Sequence, residues 1–213
     1  MPYSHLAPAS VSPADALQKL KEGNFRFINN LSINRDMLNL VNATKDEQRP
    51  FAVILSCMDS RVSAELIFDQ GLGDIFSVRV AGNVTSNSIL GSLEYATAVA
   101  GAKLILVLGH TNCGAIKGAC DDIKMDHVSA VLQKIRPAIM MEQTIKENRT
   151  STNPEFVFAV TKLNVEFSMS EILERSTIIN KLVESGEVAI VPAIYDVATG
   201  RVSYAEFAVP ALN

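Results

Sequence analysis

Two stretches of the sequence decide the fold: residues 51–61, which are FAVILSCMDSR, and residues 104–113, which are LILVLGHTNC. Each starts with a short, continuous apolar run, which is typical of a parallel strand covered on both faces. The carboxyl ends of such strands carry the chemistry of an open α/β sheet, so we expect Cys57, His110 and Cys113 to converge there. Two thiolates and one imidazole leave the fourth position of a tetrahedral zinc ion open for water or substrate. The sequence therefore predicts a catalytic zinc site.

The other elements of the sequence predict the architecture around these strands. Capping residues, apolar periodicity and breakers predict helices over residues 12–23, 36–46, 63–69, 87–100, 126–148 and 154–185, and another that begins after Cys113. Gly23 should end the first helix, and Pro137 should kink or break the helix over residues 126–148. Strands are predicted over residues 75–80, 188–194 and 202–209, the last two as a hairpin. This order predicts an α/β fold with a mostly parallel central sheet, of about four parallel strands plus an antiparallel edge strand, flanked by helices.

Length and composition limit the class of protein. The 213 residues suit a single domain, with an N-terminal helical arm over residues 1–50 and an α/β core over residues 51–213. The net charge of -4 gives no electrostatic reason to bind nucleic acid or an anionic membrane. Three cysteines make no disulfide framework, and residues 1–16 lack the pattern of a signal peptide, so we expect a cytoplasmic protein. The most apolar segment, residues 96–108, is too short to cross a bilayer, so no transmembrane helix is predicted.

Asp59 and Arg61 follow Cys57 closely and are the predicted catalytic residues. Asp59 can accept a hydrogen bond from a water molecule activated by zinc, and Arg61 can keep Asp59 ionised and away from the metal. Each residue also has a purely structural explanation, since Asp59 could cap a helix and Arg61 could be a solvated surface residue. Cys57 alone could be a small buried hydrophobe, but the His-x-x-Cys spacing at the second strand end favours metal binding.

The remaining cysteine and histidines lie outside the predicted site. Cys120 fits no ligand spacing relative to Cys113, so core packing is its better interpretation. His5 and His127 are not assigned to the predicted site, because surface histidines are common.

The sequence resembles the β-class carbonic anhydrases over nearly its whole length. Residues 57–62 are similar to the family's Cys-x-Asp-Ser-Arg signature, and residues 109–114 are similar to its Gly-His-x-x-Cys-Gly signature, at a similar spacing. Further similar segments are LKEGNFRF at 20–27, RVAGN at 79–83, GSLEYA at 91–96 and YDVATG at 195–200.

The resemblance implies an enzyme that reversibly hydrates carbon dioxide to bicarbonate at one zinc ion per subunit. It also implies a homodimer, a tetramer or a higher assembly in which N-terminal helices pack on a partner subunit and the active site lies at the interface. Residues of the family's substrate pocket correspond to Gln48, Phe76, Tyr95 and Gly114.

In some members of the family the aspartate closes onto zinc while bicarbonate occupies an inhibitory pocket. Ile54 stands where that pocket has a tryptophan, although Arg79 matches its arginine. Gln48 matches the clade whose zinc stays open. We therefore expect Asp59 to stay paired with Arg61 near neutral pH.

Two alternative functions remain open from the sequence. A related zinc hydrolase that acts on carbonyl sulfide or carbon disulfide would use the same ligands and differ only in access to the pocket. A non-catalytic protein could instead hold a structural zinc ion, with Asp59 as its fourth ligand. The presence of Asp59, Arg61 and Gln48 together speaks against this structural alternative.

Overall fold

The computed structural model describes residues 11–204. Its helices are α1 (Pro13–Ile28), α2 (Met37–Thr44), α3 (Ala64–Ile67), α4 (Asn87–Glu94), α5 (Gly114–Cys120), α6 (Asp126–Met141), α7 (Pro154–Arg175) and α8 (Thr177–Glu184). Its strands are β1 (Ala52–Ser56), β2 (Ile75–Arg79), β3 (Leu104–His110), β4 (Ala189–Tyr195) and β5 (Val202–Tyr204). None of the helices among these residues combines the length and apolar character that a membrane crossing requires.

The five strands form one sheet in the order β2-β1-β3-β4-β5. The first four are parallel, and β5 pairs antiparallel with β4 at the edge. This arrangement confirms the predicted α/β fold with a mostly parallel sheet and an antiparallel edge strand.

Both faces of the sheet are covered by helices. On one face, Ile54 and Leu106 share a buried cluster with Leu20 of α1. On the other face, Leu55 shares a second cluster with Ile172 of α7. Burial on both faces explains why β1 and β3 are continuous apolar runs rather than alternating ones.

Helix α1 is longer than the sequence predicted. The predicted start is confirmed, because Ser12 at the N-cap and Asp15 two residues after Pro13 form a capping box. The predicted end at Gly23 is wrong, since the helix continues to Ile28. A Cβ atom on Gly23 would lie 1.7 Å from the carbonyl oxygen of Phe68, so this glycine permits a close crossing and does not end the helix.

Two other predicted helix boundaries are also corrected. Helix α6 runs through Pro137 without breaking and ends at Met141, not at residue 148. The predicted helix over residues 154–185 is two helices, because Ser176 adopts an extended conformation and caps α8 by accepting a hydrogen bond from the Ile179 amide. In the predicted helix over residues 87–100, α4 is followed by a π-helical turn over Tyr95–Val99.

The hairpin at the sheet edge is confirmed over the part of it that the structure describes. Strand β5 pairs with β4 from Val202 to Tyr204. Residues 205–209 of the predicted strand lie outside the described residues.

Candidate metal centre

The sheet order brings the two predicted ligand segments together. In the order β2-β1-β3-β4-β5, the chain leaves β1 towards one edge and leaves β3 towards the other, so the topological switch point lies between β1 and β3. Ligands of open α/β sheets bind at the carboxyl ends of the strands at this point. Cys57 directly follows β1, and His110 is the last residue of β3.

The three predicted ligand side chains converge as expected. The ligand atoms of Cys57, His110 and Cys113 all lie within 4.8 Å of one another, and all three residues are buried. The two sulfur atoms are 4.0 Å apart, so the cysteines are not bridged. Two sulfurs on one tetrahedral zinc at about 2.3 Å would be about 3.8 Å apart, which this spacing matches. The cluster therefore fits a zinc ion with little rearrangement.

His110 presents an unused nitrogen atom to this cluster. Its Nδ1 lies 3.0 Å from the carbonyl oxygen of Thr111, which can only accept, so Nδ1 carries the proton. Its Nε2 then carries a lone pair that can bind a metal ion. Within residues 11–204 this buried atom has no hydrogen-bond partner. A buried polar atom without a partner is costly, and ligation of a metal would satisfy it.

The two thiols lie within hydrogen-bonding distance of each other. The hydrogen bond between them lowers the pKa of Cys57 and raises the pKa of Cys113. The Gly82 amide also donates to the sulfur of Cys57 over 3.4 Å, which favours the thiolate. A cation placed between the two sulfurs would be bound by both of them.

Asp59 and Arg61 form a tight pair beside the cluster. Oδ1 of Asp59 accepts from the amide and Nε of Arg61 over 3.0 and 2.9 Å, and Oδ2 accepts from Nη2 over 2.7 Å. These hydrogen bonds lower the pKa of the Asp59 carboxyl well below its usual range. Oδ2 also lies 4.0 Å from Nε2 of His110, so the ionised carboxylate lies beside this ligand atom.

Arg79 has a contact that the sequence analysis missed. Its Nε donates to the carbonyl of Cys57 over 3.2 Å, and its Nη2 donates to the carbonyl of Asp59 over 2.7 Å. The side chain thus fastens the backbone turn that carries both residues. The position of Arg79 in the sequence does not indicate this contact, because the contact forms only when β2 lies beside β1.

The predicted substrate-pocket residues are not all brought to the cluster within one chain. Phe76 and Tyr95 meet edge to face, with ring centroids 6.3 Å apart. They line a cavity of about 440 Å³ whose lining contains none of the three cluster residues. Gln48 is exposed in the segment before β1. Gly114 begins α5, with open space where a Cβ atom would lie.

Cys120 and His127 lie outside the cluster, as expected from the sequence. Cys120 is partly buried against a hydrophobic cluster, and its burial raises the pKa of the thiol to about 11. The imidazole of His127 is almost fully exposed on α6. His5 lies outside the described residues.

Known proteins are similar in sequence to this chain over most of its length. The carbonic anhydrase family model matches residues 52–202. A carbonic anhydrase of Mycolicibacterium smegmatis is 36% identical over 197 residues, which cover 90% of this chain and 92% of that protein. Carbonic anhydrase 2 of Mycobacterium tuberculosis is 35% identical over 198 residues, which cover 90% of this chain and 92% of that protein.

Solved structures share the fold. A β-carbonic anhydrase of Sordaria macrospora, one of two described as tetrameric, covers 80% of this chain and 87% of its own with a TM-score of 0.70 at 22% identity. The Coccomyxa β-carbonic anhydrase, solved with acetazolamide, covers 88% of this chain and 85% of its own with a TM-score of 0.70 at 23% identity. From the family match, the relatives and this shared fold, the chain belongs to the β-class carbonic anhydrase family.

Proposed function

We propose that this protein binds one zinc ion per chain through Cys57, His110 and Cys113 and catalyses the reversible hydration of carbon dioxide to bicarbonate. One observation carries the proposal. Two thiols converge beside an ionised carboxylate at the switch point of the sheet with an imidazole nitrogen that has no hydrogen-bond partner among residues 11–204. The family membership supports the same activity.

The zinc ion and the carboxylate have separate tasks in this site. When bound, zinc supplies Lewis acidity that lowers the pKa of a water molecule from 15.7 toward roughly 7. Asp59 would orient that water, because its Oδ2 lies 4.0 Å from Nε2 of His110 and can accept a further hydrogen bond besides the one from Arg61. Arg61 holds the carboxylate ionised and in place with three hydrogen bonds, so Asp59 accepts a hydrogen bond at Oδ2 without moving.

The same pairing disfavours a purely structural zinc site. For Asp59 to become the fourth ligand, it would have to give up its hydrogen bonds from Arg61, at least two of which are charge-assisted. The open arrangement therefore suits catalysis better than a closed site does.

A second chain would complete the site in this proposal. Residues that the resemblance assigns to the substrate pocket, Phe76 and Tyr95, line a cavity separate from the ligand cluster of their own chain. Large apolar side chains are exposed nearby in sequence, and they include Leu66 and Val99 at 67% and 71% exposure. Packing against a partner would remove these apolar side chains from water. The assembly is then a homodimer or tetramer in which N-terminal helices pack on the partner, and the tetrameric state described for the Sordaria macrospora enzymes supports this.

The protein is also proposed to be cytoplasmic and to form one domain, with an arm over residues 1–50 and a core over residues 51–213. The three cysteines are all free, which suits a reducing compartment. Helix α1 of the arm joins the core through Asn24, whose side chain donates to the carbonyls of Ile67 and Gly200 over 3.1 and 2.9 Å.

Metal analysis combined with stopped-flow kinetics tests the function. Purified protein should contain one zinc ion per chain and should hydrate carbon dioxide at a rate that falls when zinc is removed and returns when zinc is restored. Carbonyl sulfide turnover, measured on the same preparation by hydrogen sulfide release, should be much slower. Faster turnover of carbonyl sulfide would assign the site to the sulfur analogue, and zinc without either activity would make it structural.

A further inference from the structure

Thr111 directly follows His110, and hydrogen bonds fix it to a different part of the chain. Its amide donates to the carbonyl of Tyr195 over 2.9 Å. Its hydroxyl donates to Oδ1 of Asp196 over 3.0 Å and accepts from the amide of Val197 over 3.0 Å. Three hydrogen bonds therefore attach this one residue to the end of β4 and the turn after it.

Thr111 also determines where the imidazole of His110 points. Its carbonyl accepts the Nδ1 proton of His110 over 3.0 Å, which leaves Nε2 for a metal ion. In metal sites, a carbonyl that accepts the second ring N–H fixes the tautomer and orientation of the histidine. The residue after Thr111, Asn112, has a positive φ of 58°, so the loop turns sharply before it reaches the ligand Cys113. A shift of Thr111 would therefore move the acceptor of one ligand and the loop that leads to another.

Asp196 is anchored as a rigid acceptor for the Thr111 hydroxyl. The Ala198 amide donates to its Oδ1 over 3.1 Å, and the Thr199 hydroxyl donates to its Oδ2 over 2.8 Å. Helix α1 supports the same turn, because Asn24 donates to the carbonyl of Gly200 over 2.9 Å. The turn after β4 thus offers a fixed point from which the ligand loop is held.

We propose that Thr111 and Asp196 are positioning residues for zinc, which act through the backbone carbonyl that orients His110. The inference rests on the proposed ligation of zinc by His110. Neither side chain is a ligand in the cluster, so their effect is on how well the ligand atoms are placed. Loss of the direct hydrogen-bond partner of a metal ligand typically weakens metal binding 10–100-fold. The Thr111 hydroxyl acts one step further from the ligand, so about tenfold, the lower end of that range, is expected for its removal.

Threonine substitutions inside and outside this network test the proposal. Thr111→Val keeps the shape of the side chain and removes the hydroxyl. Thr97→Val is the matched control, because it removes a buried hydroxyl that donates to the carbonyl of Leu93 over 2.8 Å and takes no part in the network. Thr111→Ser retains the hydroxyl and should restore binding. The readouts are the zinc dissociation constant, from competition with a chelator, and the urea-induced unfolding of the zinc-free protein.

We expect Thr111→Val to bind zinc about tenfold more weakly than Thr97→Val and Thr111→Ser. Expressed as a free energy, this loss of zinc binding should exceed any difference between the two valine variants in the free energy of unfolding of the zinc-free protein. Equal zinc affinities, or a zinc loss no larger than the loss in zinc-free stability, would overturn the positioning role. His110→Ala separates this result from the proposed function: if that variant keeps zinc at wild-type affinity, the ligand assignment itself fails and the positioning role falls with it.

Discussion

Replacing Gly23 by alanine tests how closely helix α1 is packed on the core. A Cβ atom at this position would lie 1.7 Å from the carbonyl oxygen of Phe68 and 2.6 Å from its carbonyl carbon, whereas real Cβ contacts are essentially never under 3.0 Å. The atoms in conflict belong to the backbone, so rotation of a side chain cannot relieve the overlap. Helix α1 must therefore move by about 1.3 Å to reach even the closest normal contact.

The expected loss of stability follows from two opposing effects. Overpacking of a well-packed interior typically costs about 1–3 kcal/mol, and a clash with backbone atoms belongs at the upper end. Alanine gains about 1 kcal/mol over glycine in helix propensity. The free energy of unfolding should therefore fall by about 2 kcal/mol, before any weakening of the neighbouring Asn24 hydrogen bonds.

Gly118→Ala in α5 provides the matched control. Gly118 is also buried in a helix, but a Cβ atom there would first meet Leu132 at 3.4 Å, which is an ordinary contact. This variant should gain about 1 kcal/mol from helix propensity. Urea-induced unfolding followed by circular dichroism, at one fixed protein concentration, measures both variants. An unchanged or higher stability of Gly23→Ala would refute the close crossing of α1.

Three further predictions concern the site and the response to acid. Cys57→Ser should lose zinc and activity together, whereas Cys120→Ser should keep both in the same metal and rate assays. Asp59→Ala should keep zinc yet lose about 10–100-fold in kcat/KM, and a parallel loss of zinc would make Asp59 a ligand. The hydrogen bond from Thr144 is the main cause that lowers the pKa of Glu142 from 4.5 to about 2. The ionised Glu142 carboxylate therefore stabilises the fold fully above pH 4.5, and this stabilisation is lost toward pH 2. The difference in free energy of unfolding between wild type and Glu142→Gln should shrink as the pH falls through that interval. A constant difference would contradict the assignment.

The parts of the site that lie at strand ends could be predicted from the sequence. A continuous apolar run fixes a buried parallel strand, and the residue after it must lie at the shared edge of the sheet. Cys57 and His110 follow two such runs, so their convergence needed no knowledge of the helices. The pairing of Asp59 with Arg61 was also accessible, because the two residues are separated by only one position.

Features that depend on distant contacts could not be predicted in the same way. Gly23 fits a helix end and a close helix crossing equally well in sequence, and only the position of Phe68 decides between them. The hydrogen bond of Thr111 to Asp196 joins residues 85 positions apart, and no local pattern signals it. Tyr95 was assigned to the substrate pocket by resemblance, but one chain alone does not bring it to the ligands.

Anomalous diffraction at the zinc absorption edge, from crystals of zinc-loaded protein near neutral pH, tests the central claim most directly. We predict one peak per chain, bound by Cys57 Sγ, His110 Nε2 and Cys113 Sγ, with Asp59 still paired to Arg61. A peak elsewhere in the chain would contradict the ligand assignment. A peak at the predicted position with Asp59 as the fourth ligand would contradict the open catalytic site.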